Sequence, residues 1–425
     1  MDFGIYPERV VVEKLGTHKA TFWKNFAIFL AVLGPGIITA NVDNDAGGIA
    51  TYSIAGAHFG YSFLWVIIPV IFALIVIQEM SARMGAITGK GLADLIRENF
   101  GAKVTFYVMI ALLITNLGNT MAEFAGVAAS LEIFGVSKYI SVPLSTIMLW
   151  FLIVKGSYKS VEKVFLVACL FYVSYIISGI LAAPDWKEVG TEMISPSFNF
   201  DSTYLYMMIG IIGTTIAPWM QFYMQSSIVE KGVDADNYAQ AKWDVVVGCV
   251  MAGVVVFFII VACAAIIYPT GTRIESASEA ALALKPLAGK YCSILFSFGL
   301  FNASLFAAAV LPLATAYYVC EGLGFEAGVN KRFSEAPQFY TLYTAILIIG
   351  ALLVLIPGFP LFFIMVFSQV INGILLPFIL IFMLILINRE ELMGKFTNGK
   401  LWNAVSWFTV ISMIILTLLM SITFF

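Results

Sequence analysis

Early in the chain an apolar run is interrupted by groups that could hold an ion. The stretch GPGIITANVDNDAGGIATYSIAG, residues 34–56, puts Asn41, Asp43, Asn44 and Asp45 just ahead of Gly47 and Gly48. A charge at the bilayer centre costs about 2.5 kcal/mol or more, so a carboxylate placed there marks a functional site by default. Asp45 is the strongest candidate. The glycines beside it let a helix unwind and offer free carbonyl oxygens next to a carboxylate, the donor set that a hard cation takes. Asp43 lies two residues earlier. In an unwound segment it either shares the site or faces a water-filled vestibule.

A second interruption falls in IGIIGTTIAPWMQFYMQSS, residues 209–227, where Thr214 and Thr215 precede Ala217 and Pro218. Proline has no N–H to give the carbonyl about one turn earlier, so the carbonyl near Thr214 is freed as a ligand. Gln369 and Asn372, three apart on one helical face, either supply neutral oxygens or hydrogen-bond between helices. Asn116, Asn119, Thr120 and Glu123 form one polar stripe that lines an aqueous path or joins helices. Glu79 and Arg83, four apart, read as a structural ion pair.

Other chemistries find no support. No serine, histidine and carboxylate set suggests nucleophilic catalysis, and the two histidines, His18 and His58, fall near segment ends, so no enzyme is expected. No GxxxxGK[ST] occurs, so energy comes from ion gradients or membrane potential and not from bound ATP. Cys169, Cys249, Cys263, Cys292 and Cys320 are scattered singly and read as small packing residues. Net charge is −3 and no dense basic run appears, which argues against a nucleic-acid partner.

The elements that must position these groups are membrane helices. Of 425 residues, 61% are hydrophobic and only 12% charged, too little polar surface to coat a soluble globule. Apolar stretches long enough to cross a bilayer recur eleven times, near 28–56, 62–83, 104–133, 139–158, 162–183, 204–228, 244–268, 290–320, 338–357, 361–388 and 402–424. Residues 1–24 read as a cytoplasmic tail, 25–388 as a transport core of ten helices, and 389–425 as a loop with an eleventh. All but five of the 23 Lys and Arg residues (Lys138, Lys187, Arg273, Lys285 and Lys290) fall on the side of the N-terminus. Positive charge accumulates on the cytoplasmic side, which puts the N-terminus inside and the C-terminus outside.

The two interrupted segments are the first and the sixth, five apart. Transporters built from two inverted repeats of five helices carry a broken helix at the same position in each repeat, with substrate bound between the breaks. An all-α polytopic fold of two such repeats, with broken helices 1 and 6 and an extra helix, is expected.

From about residue 25 onward the sequence resembles the Nramp family of divalent-metal transporters. QEMSARMGAITGKGLADLIRENFG at 78–101 is the most specific match, joined by GPG at 34–36, MAEFAGVAASLEIFG at 121–135 and SQVINGILLPF at 368–378. The resemblance implies the same broken-helix, LeuT-like fold. Two motifs depart from the family. Its first-helix Asp-Pro-Gly-Asn reads Asp45, Ala46, Gly47, Gly48, without the asparagine ligand, and its sixth-helix Met-Pro-His reads Ala217, Pro218, Trp219.

Those departures point to a particular cargo. A methionine sulfur is a soft ligand suited to transition metals, and Ala217 removes it. Mg2+ dehydrates reluctantly and keeps several waters, so a roomier all-oxygen site around Asp45 suits it. The sequence thus looks like the Nramp-related magnesium branch. Trp219 for histidine, and Thr120 where the third helix is expected to carry an aspartate, both remove proton-relaying groups. A carrier of Mg2+, also accepting Mn2+, without strong proton coupling and with no cofactor beyond its cargo, is the leading expectation. Alternatives are a proton-coupled Mn2+ or Fe2+ importer using Glu123, or a membrane sensor that binds metal without moving it.

Overall fold

The computed structural model describes residues 34–274, 277–358 and 361–424. The expected tail, 1–24, and the opening of the first span, 28–33, lie outside the described residues. The described residues are helical, without a strand among them. The first segment folds as two half-helices, α1 (Pro35–Val42) and α2 (Ala46–Phe59). Then follow α3 (Leu64–Thr88), a short α4 (Leu92–Phe100), α5 (Ala102–Glu132), α6 (Lys138–Lys155) and the pair α7 (Tyr158–Leu170) and α8 (Val173–Leu181). A connecting helix, α9 (Trp186–Ile194), leads to a second pair of half-helices, α10 (Ser202–Thr215) and α11 (Pro218–Lys231). The second repeat continues through α12 (Tyr238–Ile266), α13 (Ala277–Leu323), α14 (Pro337–Leu355) and α15 (Leu361–Ile387). One turn, α16 (Glu390–Met393), precedes α17 (Lys400–Phe424).

Ten helical stretches among the described residues are long and apolar enough to cross a membrane. The eleventh expected span is the first one. Its halves have 8 and 14 residues, and neither alone reaches the roughly 20 that a bilayer requires. The chain is an integral membrane protein of two inverted five-helix repeats with broken first and sixth helices. Its outer helices turn apolar side chains such as Leu144, Phe151, Phe408 and Leu418 outward, where they face lipid.

The position of α1 is fixed by α12. Gly34 has φ 152°, a conformation that glycine adopts at little cost, and Pro35 starts the helix where no N–H is needed. The orphan amides at that end are taken by a carboxylate 207 to 210 residues away. Asp244 accepts from the N–H groups of Gly34, Gly36 and Ile37 at 3.1, 2.7 and 3.3 Å. Two glycines allow the approach: a Cβ on Gly36 would fall 2.5 Å from the Val245 amide nitrogen, and one on Gly248 would fall 2.5 Å from the Gly36 carbonyl oxygen.

Candidate metal centre

Between the first two half-helices the backbone leaves α1 at Asp43 and restarts at Asp45, whose φ of −78° and ψ of 179° are extended. Asp45 Oδ1 accepts the Gly48 N–H at 2.6 Å, so the carboxylate caps α2. Glu123 of α5 reaches the same helix end, its Oε2 accepting the Ala46 N–H at 3.0 Å. Two carboxylates therefore sit on the positive end of the α2 dipole. Both residues are buried, Asp45 at 3% exposure and Glu123 at 0%.

Gly47 and Gly48 let two other helices approach this end. A Cβ on Gly48 would lie 2.8 Å from Thr214 Oγ1, 2.9 Å from the Asp43 carbonyl oxygen and 3.2 Å from Asp45 Oδ1. A Cβ on Gly47 would overlap the amide nitrogen of Gln369. Thr214 from the end of α10 and Gln369 from α15 thus converge on Asp45. The missing asparagine at position 48 has a geometric counterpart, because any side chain there would displace the threonine hydroxyl.

Asn372 stands one step back from the centre. Its Nδ2 donates to Gln369 Oε1 at 3.0 Å and leaves the amide nitrogen of Gln369 toward Gly47. Asp43 is buried at the same turn, and its carbonyl oxygen faces Gly48. Ala217 stands just ahead of α11 and brings only a methyl group; its carbonyl accepts from Gln221 Nε2 and from the Met220 N–H, both at 3.2 Å.

The second break contributes backbone oxygens. Pro218 opens α11 without an N–H, and among the described residues no backbone amide outside the helices donates to the carbonyls of Thr214, Thr215 or Ile216. Thr214 Oγ1, Glu123 Oε1 and Gln369 Nε2 are buried without a hydrogen-bond partner. No three His, Cys, Asp or Glu side chains form a metal cage among the described residues. Any cation here would meet carboxylate, hydroxyl, amide and carbonyl groups.

The polar stripe of α5 joins helices. Asn116 Nδ2 donates to Thr315 Oγ1 of α13 at 3.0 Å, Asn119 Nδ2 to Asn116 Oδ1 at 3.2 Å, and Thr120 Oγ1 to the Asn116 carbonyl at 2.8 Å. Glu79 and Arg83 pair at 3.2 Å, and the same guanidinium donates to the Phe396 carbonyl at 3.1 Å. Trp219, in the place of the family's histidine, is buried against Tyr223.

Some of the framework escaped the sequence reading. Tyr52 Oη and Thr215 Oγ1 lie 2.8 Å apart and tie α2 to α10. Tyr172 Oη donates to the Asn44 carbonyl at 3.2 Å, and Asn44 Nδ2 to the Ala252 carbonyl at 3.3 Å. Tyr52 was findable, since it lies two helical turns beyond Asp45 and on the same face. Tyr172 and Asp244 come from distant segments with no such signal.

Paired half-helices five spans apart, meeting around a buried carboxylate, define a secondary transporter of the LeuT-like class. The chain belongs to the Nramp family of divalent-metal transporters: the family model described as "Natural resistance-associated macrophage protein-like" matches residues 36–423. It is a transporter and not an enzyme. Among solved structures it is similar to the Eremococcus coleocola manganese transporter in complex with an aromatic bis-isothiourea compound. The two share 23% identity and a TM-score of 0.74, over 97% of this chain and 89% of that one. The fold also resembles a nucleobase-cation-symport-1 family transporter in a closed conformation, at 13% identity and TM-score 0.55, over 92% of this chain and 93% of that one. A Na+-coupled sialic acid symporter is similar at 12% identity and TM-score 0.53, over 94% and 97%.

Proposed function

We propose that the chain carries Mg2+, and also Mn2+, across the membrane by alternating access around Asp45, without strong proton coupling. The observation that carries this reading is the donor set at the breaks. The Asp45 carboxylate meets the Thr214 hydroxyl and the Gln369 amide around Gly47 and Gly48, the Thr214 carbonyl accepts from no backbone amide outside the helices, and Ala217 offers no sulfur. Mg2+ keeps much of its water and takes one or two carboxylates. Ala217 adds nothing larger than a methyl group, Gly48 lets the Thr214 hydroxyl and the Asp43 carbonyl oxygen approach Asp45, and Asn372 holds Gln369 in place. With the N-terminus inside, in the plasma membrane, a divalent ion gains about 4.6 kcal/mol per 100 mV of inside-negative potential. Uptake can run on that alone.

A proton-coupled Mn2+ or Fe2+ importer is the second reading, favoured by the Glu123 carboxylate on the same helix end as Asp45. Flux into proteoliposomes holding a Mg2+ dye and a pH dye, at clamped potential, separates the two. The expected result is Mg2+ entry without acidification, lost in Asp45→Ala. Proton entry that tracks Mn2+, with no Mg2+ entry, would establish the second reading. Binding without flux of any ion would mark a sensor.

A further inference from the structure

A row of buried polar groups leaves the centre along α11. Ala217, Gln221 and Gln225 are spaced by four and share one face of the helix, and both glutamines are 0% exposed. Gln221 Nε2 donates to the Ala217 carbonyl at 3.2 Å, and its Oε1 accepts from Gln78 Nε2 of α3 at 3.1 Å. One turn on, Gln225 Nε2 donates to the Lys90 carbonyl at 2.8 Å. The amide of Gln225 therefore lies against the Lys90–Gly91 backbone.

The row ends at a carboxylate. Glu321, near the end of α13, accepts from Ser226 Oγ at 2.6 Å through Oε1. It also fills the space beside Gly91, where any Cβ would overlap it. Gly91 has φ −68° and ψ 158°, open to every residue type, so the carboxylate and not the backbone keeps a side chain out.

Three acceptors along this row have no partner: Gln78 Oε1, Gln225 Oε1 and Glu321 Oε2. Each such buried atom has lost its water without gaining a replacement hydrogen bond. Nearby carboxylates are otherwise engaged, Asp94 with Arg97 at 3.0 Å and Glu230 with the Asn330 N–H at 3.0 Å. Glu321 has no Lys, Arg or His at ion-pair distance among the described residues.

We propose that Glu321, with the Ser226 hydroxyl and the Gln225 amide oxygen, forms a second site for a hard divalent cation, on the path between Asp45 and the solution at the far end of α11. One carboxylate with neutral oxygens is the donor set that such an ion accepts while keeping water. The Gln221–Gln78 pair lies between the two sites. This inference rests on Asp45 holding the cargo.

Mn2+ binding to the detergent-solubilised full chain, counted by electron paramagnetic resonance, tests it. The wild type is expected to bind two ions, Glu321→Gln one, Asp45→Ala one, and the double variant none. Gly91→Ala displaces the carboxylate without removing it and is expected to weaken only the second ion, about tenfold. Gly91→Ala and Ser226→Ala carry the measurement should Glu321→Gln not fold. Two ions retained in Glu321→Gln, or a lowered melting temperature with unchanged binding, would overturn the second site and leave Asp45 untouched. Unchanged binding in Asp45→Ala would instead overturn the cargo site.

Discussion

The two helix breaks are made differently. The first is polar: Asp43, Asn44 and Asp45 carry the chain from α1 to α2, and the new helix is capped by Asp45 and by Glu123 from another helix. The second is apolar, passing through Ile216 and Ala217 to Pro218, and α11 starts with no side-chain cap. Only the first break supplies charge, while carbonyls without a backbone donor outside the helices lie at both, at Asp43 in the first and at Thr214, Thr215 and Ile216 in the second. An inverted repeat preserves the position of a break while leaving its chemistry free to differ, and a cation needs both kinds of donor at once.

Removing the charged side of that pair should have the largest effect. Asp45→Ala is expected to lower uptake about 100-fold or more, equivalent to roughly 2.7 kcal/mol, in the proteoliposome assay. Making the second break soft is next. Ala217→Met is expected to raise the preference for Mn2+ or Cd2+ over Mg2+ about tenfold, read by competition flux, because sulfur favours the softer ions. An unchanged preference would mean that position 217 does not face the ion.

Closing the second break should cost less. Pro218→Ala restores an N–H able to reach the Thr214 carbonyl, and about a fivefold loss of uptake is expected with the fold retained. The smallest effect belongs to the contact between the breaks. Gly48→Ala puts a Cβ 2.8 Å from Thr214 Oγ1, and about a threefold loss is expected. Thr214→Ala in the same chain should soften the steric part of that loss, so the two substitutions would be non-additive in a double-mutant cycle. Strict additivity would show that Thr214 is not held against Gly48.

The sequence by itself determined the membrane spans, the two breaks and the buried aspartate between them. Each of these is a local property. Apolar length, a proline without an N–H and glycines beside a carboxylate act within a turn or two of where they stand. The convergence of Thr214 and Gln369 on Gly47 and Gly48, the cap that Glu123 gives to α2, the hold of Asp244 on α1 and the meeting of Glu321 with Ser226 were decided only by the tertiary structure. A helix end needs its orphan amides satisfied, but sequence spacing does not say which distant carboxylate will do it. Asn372 shows the same limit at short range. Its spacing from Gln369 placed both on one face, and only packing set Asn372 to orient the other amide.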